Sequence, residues 1–178
     1  MKEWRTPNIN PTIKESIRNT FFNDSGINID DYKTKLNLAC GTDYLDGWIN
    51  VDGSRTIKAD MYFNLDAPDI KLPFQNDSID FIYAAHILEH IVYLPQLQAE
   101  LIRILKPEGS LMVIVPHYLS VDAWGDPTHC RAFSPASFYG LFWPGLYSKH
   151  YDEYGVSAEG AAQMNRKWIV CTLRKGEA

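Results

Sequence analysis

The chain has 178 residues, 46% hydrophobic and 13% aromatic, which suits one globular domain with a buried core and excludes a disordered chain. Its formal charge of −5 argues against a general nucleic-acid binder, whose usual footprint is a basic surface. No apolar run approaches the ~20 residues of a membrane helix. No signal-peptide core follows Lys2, Glu3 and Arg5, and Cys40, Cys130 and Cys171 lack framework spacing, so the expectation is a reduced, cytoplasmic protein.

Residues 1–10, with Pro7 and then Pro11, read as an irregular arm. Thr12 to Phe22 carries Ile13, Ile17 and Phe21 at helical spacing, which predicts a short amphipathic helix that packs on a sheet, with a lid over a pocket as the alternative. Asn23-Asp24-Ser25-Gly26 ends it with turn and cap chemistry. Leu36 to Ala39 is the first core strand and runs into a tight turn at Gly41. Trp48 to Val51 is the second, with Asp52 at its carboxyl end. Only Cys40–Gly47 separates them, whereas a parallel crossover normally takes a dozen or more residues and a helix. That helix is therefore missing or cut to a single turn, and with it goes much of the anion-binding helix terminus that such folds use.

Ala59 to Leu65 and Ile79 to Ala84 suit the third and fourth strands. A helix is expected from Ala85 or His86, with Pro95 opening a second helical segment and Leu97, Leu101, Ile104 and Leu105 forming its core stripe. Lys106-Pro107-Glu108-Gly109 stops the helix. Ser110 to Val115 is apolar throughout, as befits a central strand buried on both faces, and Pro116 ends it. From His117 to Tyr151 the periodicity fails. Irregular segments this long are often functional, and this one holds Asp126 to Phe133 and the aromatics Phe138, Tyr139, Phe142, Trp143 and Tyr147. Trp168 to Leu173 is the last predicted strand.

A strand, a glycine turn, an acid ending the next strand and a further strand–helix unit outline a nucleotide-type pocket beyond the carboxyl ends of parallel strands. The ordered pieces are Asn37-Leu38-Ala39-Cys40-Gly41, Val51-Asp52, Leu72-Pro73-Phe74, Ser78-Ile79-Asp80, Leu88-Glu89-His90 and Leu105-Lys106-Pro107-Glu108-Gly109. No piece is specific alone, but their order resembles class I S-adenosylmethionine-dependent methyltransferases over residues 35–138. The nearest likeness is to a short-chain branch often found among genes for bacterial surface sugars.

The resemblance implies an α/β, Rossmann-like fold, a mostly parallel sheet with helices on both faces, from which the shortened first crossover read from the spacing is the largest departure. It divides a single domain, residues 1–178, into an amino-terminal arm and helix (1–34), a cofactor-binding core (35–116), a substrate segment (117–151) and a final strand region (152–178). It also implies S-adenosylmethionine as methyl donor and a small-molecule or sugar acceptor methylated on oxygen or nitrogen. Cofactor contacts are expected from Asn37, Ala39, Cys40, Gly41, Asp52, Gly53, Asp66 and His86. Gly41 permits close backbone approach, although the fuller family signature has more glycines here. Asn37 stands where many relatives carry an acid. Asp52 can accept hydrogen bonds from both ribose hydroxyls or serve as a turn aspartate before Gly53. Asp66 falls near the expected adenine amino group or caps a turn before Pro68, and His86 faces the methionine end.

His86-x-x-Glu89-His90 also matches the inverted zinc-peptidase signature, which would make the protein a zinc hydrolase. The flanking strands follow the methyltransferase order instead, so no metal is expected there. His117, at the pocket rim, and His129, oriented by Asp126, are the candidate bases, because histidine titrates near neutrality. Arg131 is a candidate for an anionic acceptor. The aromatics from Phe138 to Tyr147 serve as core, acceptor cleft or homodimer contact. The main rival is a non-catalytic binding or scaffold protein of the same fold, motivated by the missing helix and sparse glycines.

Overall fold

The computed structural model describes residues 11–138, 143, 146–154 and 168–176. The amino-terminal arm and the expected aromatics Tyr139 and Phe142 lie outside them. Helix α1 spans Pro11–Asp24, followed by strands β1 (Lys35–Leu38), β2 (Ile49–Asp52), β3 (Met61–Tyr62) and β4 (Ile79–Ala85). Helix α2 (Leu94–Ile104) leads into β5 (Leu105–Pro116), then a short α3 (Asp122–Gly125), β6 (Leu146–Tyr154) and β7 (Trp168–Lys175). The seven strands form one sheet in the order β3-β2-β1-β4-β5-β7-β6. The β1–β2, β1–β4, β2–β3 and β4–β5 pairs are parallel, and β7 runs antiparallel to both β5 and β6. This is the expected α/β architecture with a mostly parallel sheet.

Side-chain alternation puts a core on each face of the sheet. Ile82 and Ala84 of β4, with Leu111, Val113 and Val115 of β5, pack with Leu94, Leu97, Leu101 and Ile104 of α2. The intervening Phe81, Tyr83, Met112 and Ile114 pack on the opposite face with Phe21 and Phe22 of α1 and Ile27 beyond it. Gly26, at φ +65°, turns the chain after α1, and Ile27 N–H returns to the Phe22 carbonyl at 2.8 Å.

Residues 39–48, between the parallel neighbours β1 and β2, contain no helix. Three other boundaries differ from expectation. β3 is only Met61–Tyr62, because its pairing with β2 is confined to Val51↔Met61 and Asp52↔Tyr62. No helix starts at Ala85 or His86: β4 continues through Ala85, His86 takes φ +55°, and a 3-10 turn follows at Leu88–His90. The first α-helical turn comes only at Leu94, with Pro95 inside it, where its missing N–H costs nothing. Finally, β6 occupies the end of the expected irregular segment. It pairs only with β7 among the described residues, and its polar run Ser148-Lys149-His150 has the character of a protected edge strand.

Candidate active site

The carboxyl ends of β1, β2 and β4 lie side by side. The chain leaves β1 through Ala39 at φ +55° and Gly41 at φ +51°, and leaves β4 through His86 at φ +55°. Left-handed residues at two adjacent strand ends turn the backbone sharply away and keep a crevice open between them. A methyl group built on Gly41 would have nothing within 4 Å, so the turn faces open space. Asp52, ending β2, reaches across: Gly41 N–H donates to Asp52 Oδ2 at 2.8 Å and Ser54 N–H donates to Oδ1 at 2.8 Å.

The other expected cofactor residues have varied placements. Asn37 is 2% exposed and its amide donates to the Asp43 carbonyl at 2.7 Å and to Asn50 Oδ1 at 3.0 Å, so its side chain braces the crossover. The Cys40 thiol is buried beside the Lys58 carbonyl, and burial, with Asp52 nearby, pushes it up to about 11. It is a neutral thiol, so the turn offers backbone here and no thiolate. Gly53 is exposed just past Asp52, with the Phe63 carbonyl 3.4 Å from where a Cβ would stand. Asp66 Oδ1 accepts the Tyr93 N–H at 2.9 Å just ahead of α2. The His86 side chain is 45% exposed, edge-on to Trp168 at 5.9 Å, with Nδ1 3.4 Å from Glu89 Oε1.

One residue that the sequence reading passed over holds this region together. Asn50 is fully buried; its amide donates to the Leu45 and Trp48 carbonyls and to Asp60 Oδ2, while its Oδ1 accepts from Leu45 N–H and Asn37. Asp60 also accepts from Asn50 N–H and from the Tyr44 hydroxyl, each at 2.7 Å. The available signal was register: Asn37 and Asn50 are direct partners in neighbouring core strands.

Beyond β5, His117 is placed differently from the expectation. Its ring is not at the rim but 4% exposed, tilted against Tyr118 with centroids 4.6 Å apart, and its Nδ1 accepts the Leu119 N–H at 3.1 Å. An isolated bridge to Phe133 draws it inward. Asp126 and His129, the expected pair, stand close but without a hydrogen bond between them. Asp126 Oδ2 is 4.0 Å from His129 Nε2, whereas Asp126 Oδ1 accepts the Thr128 N–H at 2.8 Å and hydroxyl at 2.6 Å. Those bonds, the hydroxyl first, hold the Asp126 carboxyl below the usual carboxylate range. Arg131 Nη2 donates to the Ile91 and Val92 carbonyls, so this guanidinium ties the loop to the end of the 3-10 turn. Cys130 N–H and Sγ–H both meet the Glu89 carbonyl, which closes the loop onto the same turn. Tyr118, Trp124, Ala132, Ser134, Pro135 and Ala136 line an open depression of about 670 Å³ beyond the carboxyl end of β5.

The family described as "Methyltransferase domain" matches residues 25–113, half of the chain. The chain belongs to the S-adenosylmethionine-dependent methyltransferases. Their fold extends past the matched residues. An S-adenosylmethionine-dependent methyltransferase from Archaeoglobus fulgidus superposes with a TM-score of 0.64 at 13% identity, over 92% of this chain and 93% of that one. One from Mesorhizobium loti gives 0.58 at 15% identity, over 80% and 90%. The [4+2]-cyclase SpnF gives 0.67 at 15% identity, over 92% and 82%. No curated protein matches this methyltransferase by sequence. The matches reach the methyltransferase domain and do not distinguish the surface-sugar branch. They replace the zinc-hydrolase alternative, whose helix is absent: His86 precedes the 3-10 turn Leu88–His90 that ends in His90, and the two share no α-helical face. No helix among the described residues is long and apolar enough to cross a membrane.

Proposed function

We propose that this methyltransferase transfers its methyl group to an oxygen or nitrogen of a small molecule, sugars included. The observation that carries the reading is the depression lined by Tyr118, Trp124 and Pro135, on the same carboxyl edge of the sheet as the crevice. Its size suits a small ligand, and its aromatic wall suits the apolar face of a ring. When bound, S-adenosylmethionine supplies a sulfonium methyl group open to displacement.

The crevice residues fit that donor. Each Asp52 oxygen accepts one backbone N–H, which leaves each a further lone pair for one hydroxyl of a ribose diol. The open side of Gly41 admits a ligand against the turn. Asn37 and Cys40 act from behind by shaping the turn, and Ala39, Gly53 and His86 border it with backbone and ring. Asp66 holds the approach to α2 at the crevice's far side. The loop from His117 to Phe133 aligns the acceptor, and alignment alone can supply much of the rate of an in-line displacement. An acceptor atom that ionises readily or already carries a lone pair suits a displacement driven by alignment.

The test is transfer from a donor with a deuterated methyl group to a panel of monosaccharides, nucleotide sugars, phenols and amines, followed by mass spectrometry. The expected result is a labelled product from one of these classes. Donor binding by calorimetry with label found only in protein or nucleic acid would overturn the small-acceptor reading.

A further inference from the structure

Glu89 is 1% exposed, yet neither of its carboxylate oxygens has a hydrogen-bond partner among the described residues. A buried carboxylate without hydrogen bonds is costly, and its one ion-pair neighbour among the described residues, the half-exposed His86 imidazole 3.4 Å from Oε1, leaves Oε2 with none. One ligand-capable atom from each of Glu89, His90 and His129 lies within 4.8 Å of the others, and the two imidazole rings are 4.6 Å apart. Glu89 and His90 come from the 3-10 turn after β4, and His129 comes from the loop after β5. We propose that these three side chains bind a divalent transition metal of the zinc class.

The surrounding bonds prepare both histidines as ligands. Thr128 Oγ1 donates its proton to Asp126 Oδ1, so its contact with His90 Nδ1 at 2.9 Å must be one in which the imidazole donates. His129 Nδ1 lies 3.2 Å from the Ala123 carbonyl, which can only accept. In both rings Nδ1 is thereby the nitrogen that donates to an outer partner, which leaves Nε2 as the nitrogen for a metal, the arrangement usual in a metal-binding histidine. The backbone fixes the loop onto the turn through Cys130 and the Glu89 carbonyl, so the three ligands do not depend on chance proximity.

Two imidazoles and one carboxylate suit zinc and its neighbours and disfavour magnesium or calcium, which take oxygen ligands. Three protein ligands also leave a fourth tetrahedral position open to water or another donor. Bonds of ~2.1 Å would draw the ligand atoms to ~3.4 Å apart, a modest closure from the metal-free spacing. The signature pair in the sequence, His86 with His90, does not contain this group. The residue that completes the group lies in the next loop, and His86 stands outside it with Nδ1 3.4 Å from Glu89 Oε1.

The experiment uses the full chain, stripped with a chelator and dialysed against zinc, then analysed by elemental mass spectrometry. Cobalt(II) in place of zinc gives a second readout, the intense visible absorption of a four-coordinate site. One metal per chain is expected, with affinity reduced at least ~100-fold in His129→Ala, His90→Ala and Glu89→Gln and little changed in His86→Ala. Far-UV circular dichroism checks that each variant folds; should Glu89→Gln fail, His129→Ala, on the loop, still decides. Wild-type protein that takes up neither metal overturns the proposal, as does uptake that survives loss of His90 and of His129.

Discussion

Asn50 and Asp52 sit two residues apart on β2 and do different work. Asn50 replaces the backbone hydrogen bonds that a crossover helix would make internally: it closes the Leu45 N–H and carbonyl, the Trp48 carbonyl and the Asn37 amide in one buried network. Asn50→Ala leaves those groups buried and unpaired, so stability should fall by about 3 kcal/mol in urea denaturation, with unchanged stability ruling out the network as a support. Asp52 faces the crevice. Asp52→Ala should weaken S-adenosylmethionine binding by about 1.5–3 kcal/mol in calorimetry, since hydrogen bonds to a charged group are lost. Identical titration curves for wild type and variant would remove Asp52 as the ribose ligand. Asp52 was visible in the sequence because an acid at a strand's carboxyl end has a chemical meaning by itself. Asn50 was not, because a buried amide has meaning only through the partners that the fold brings to it.

The element scale shows the same division. β1, β2, β4, α2 and β5 were legible because each carries an apolar pattern of the right period or length. β6 was not, since its polar run hides the period. The helix expected at His86 failed because His86 takes a left-handed conformation that breaks helical continuity. α2 is instead held to the β3–β4 connection by Glu100, which is 5% exposed. Its carboxylate accepts the Leu72 N–H and the Nε and Nη2 hydrogens of Arg103 at 2.6–2.7 Å. Arg103 in turn donates to the Leu72 and Phe74 carbonyls. Glu100→Ala should therefore cost about 3 kcal/mol, because it strands a half-covered guanidinium and a buried N–H. A midpoint within error of wild type in denaturant would show that solvent replaces the pair. On the other face α1 is tied to the crossover by Arg18, whose Nη1 reaches both Asp43 oxygens at 2.7–2.9 Å.

At the scale of the molecule, four carboxylates in structural roles, Asp60, Asp80, Glu100 and Asp126, share one direction. Asp60 is held below its usual range by the Asn50 N–H first and then the Tyr44 hydroxyl. Burial pushes Asp80 up, but Lys106 and the Thr34 N–H overcome it and leave it low. Burial likewise raises Glu100, and Arg103 and the Leu72 N–H reverse the balance. With Asp126 also depressed, these groups bind protons more readily unfolded than folded. Their stabilisation is fully present above the unfolded carboxyl values of ~4 and is lost as pH falls through the lower folded ones. The melting temperature should stay level from neutrality to about pH 5 and drop steeply below about pH 4. Equal melting temperatures at pH 7 and pH 3 would contradict this. The strand order carries a further consequence, in time rather than in energy. β7 lies between β5 and β6, although both precede it in the chain. During synthesis, β5 must therefore wait with one buried-type edge unsatisfied until Trp168–Lys175 has been made, and β6 has no place in the sheet before then. A ribosome pausing between β6 and β7 would hold out a long, apolar strand edge, the kind of surface on which nascent chains find one another.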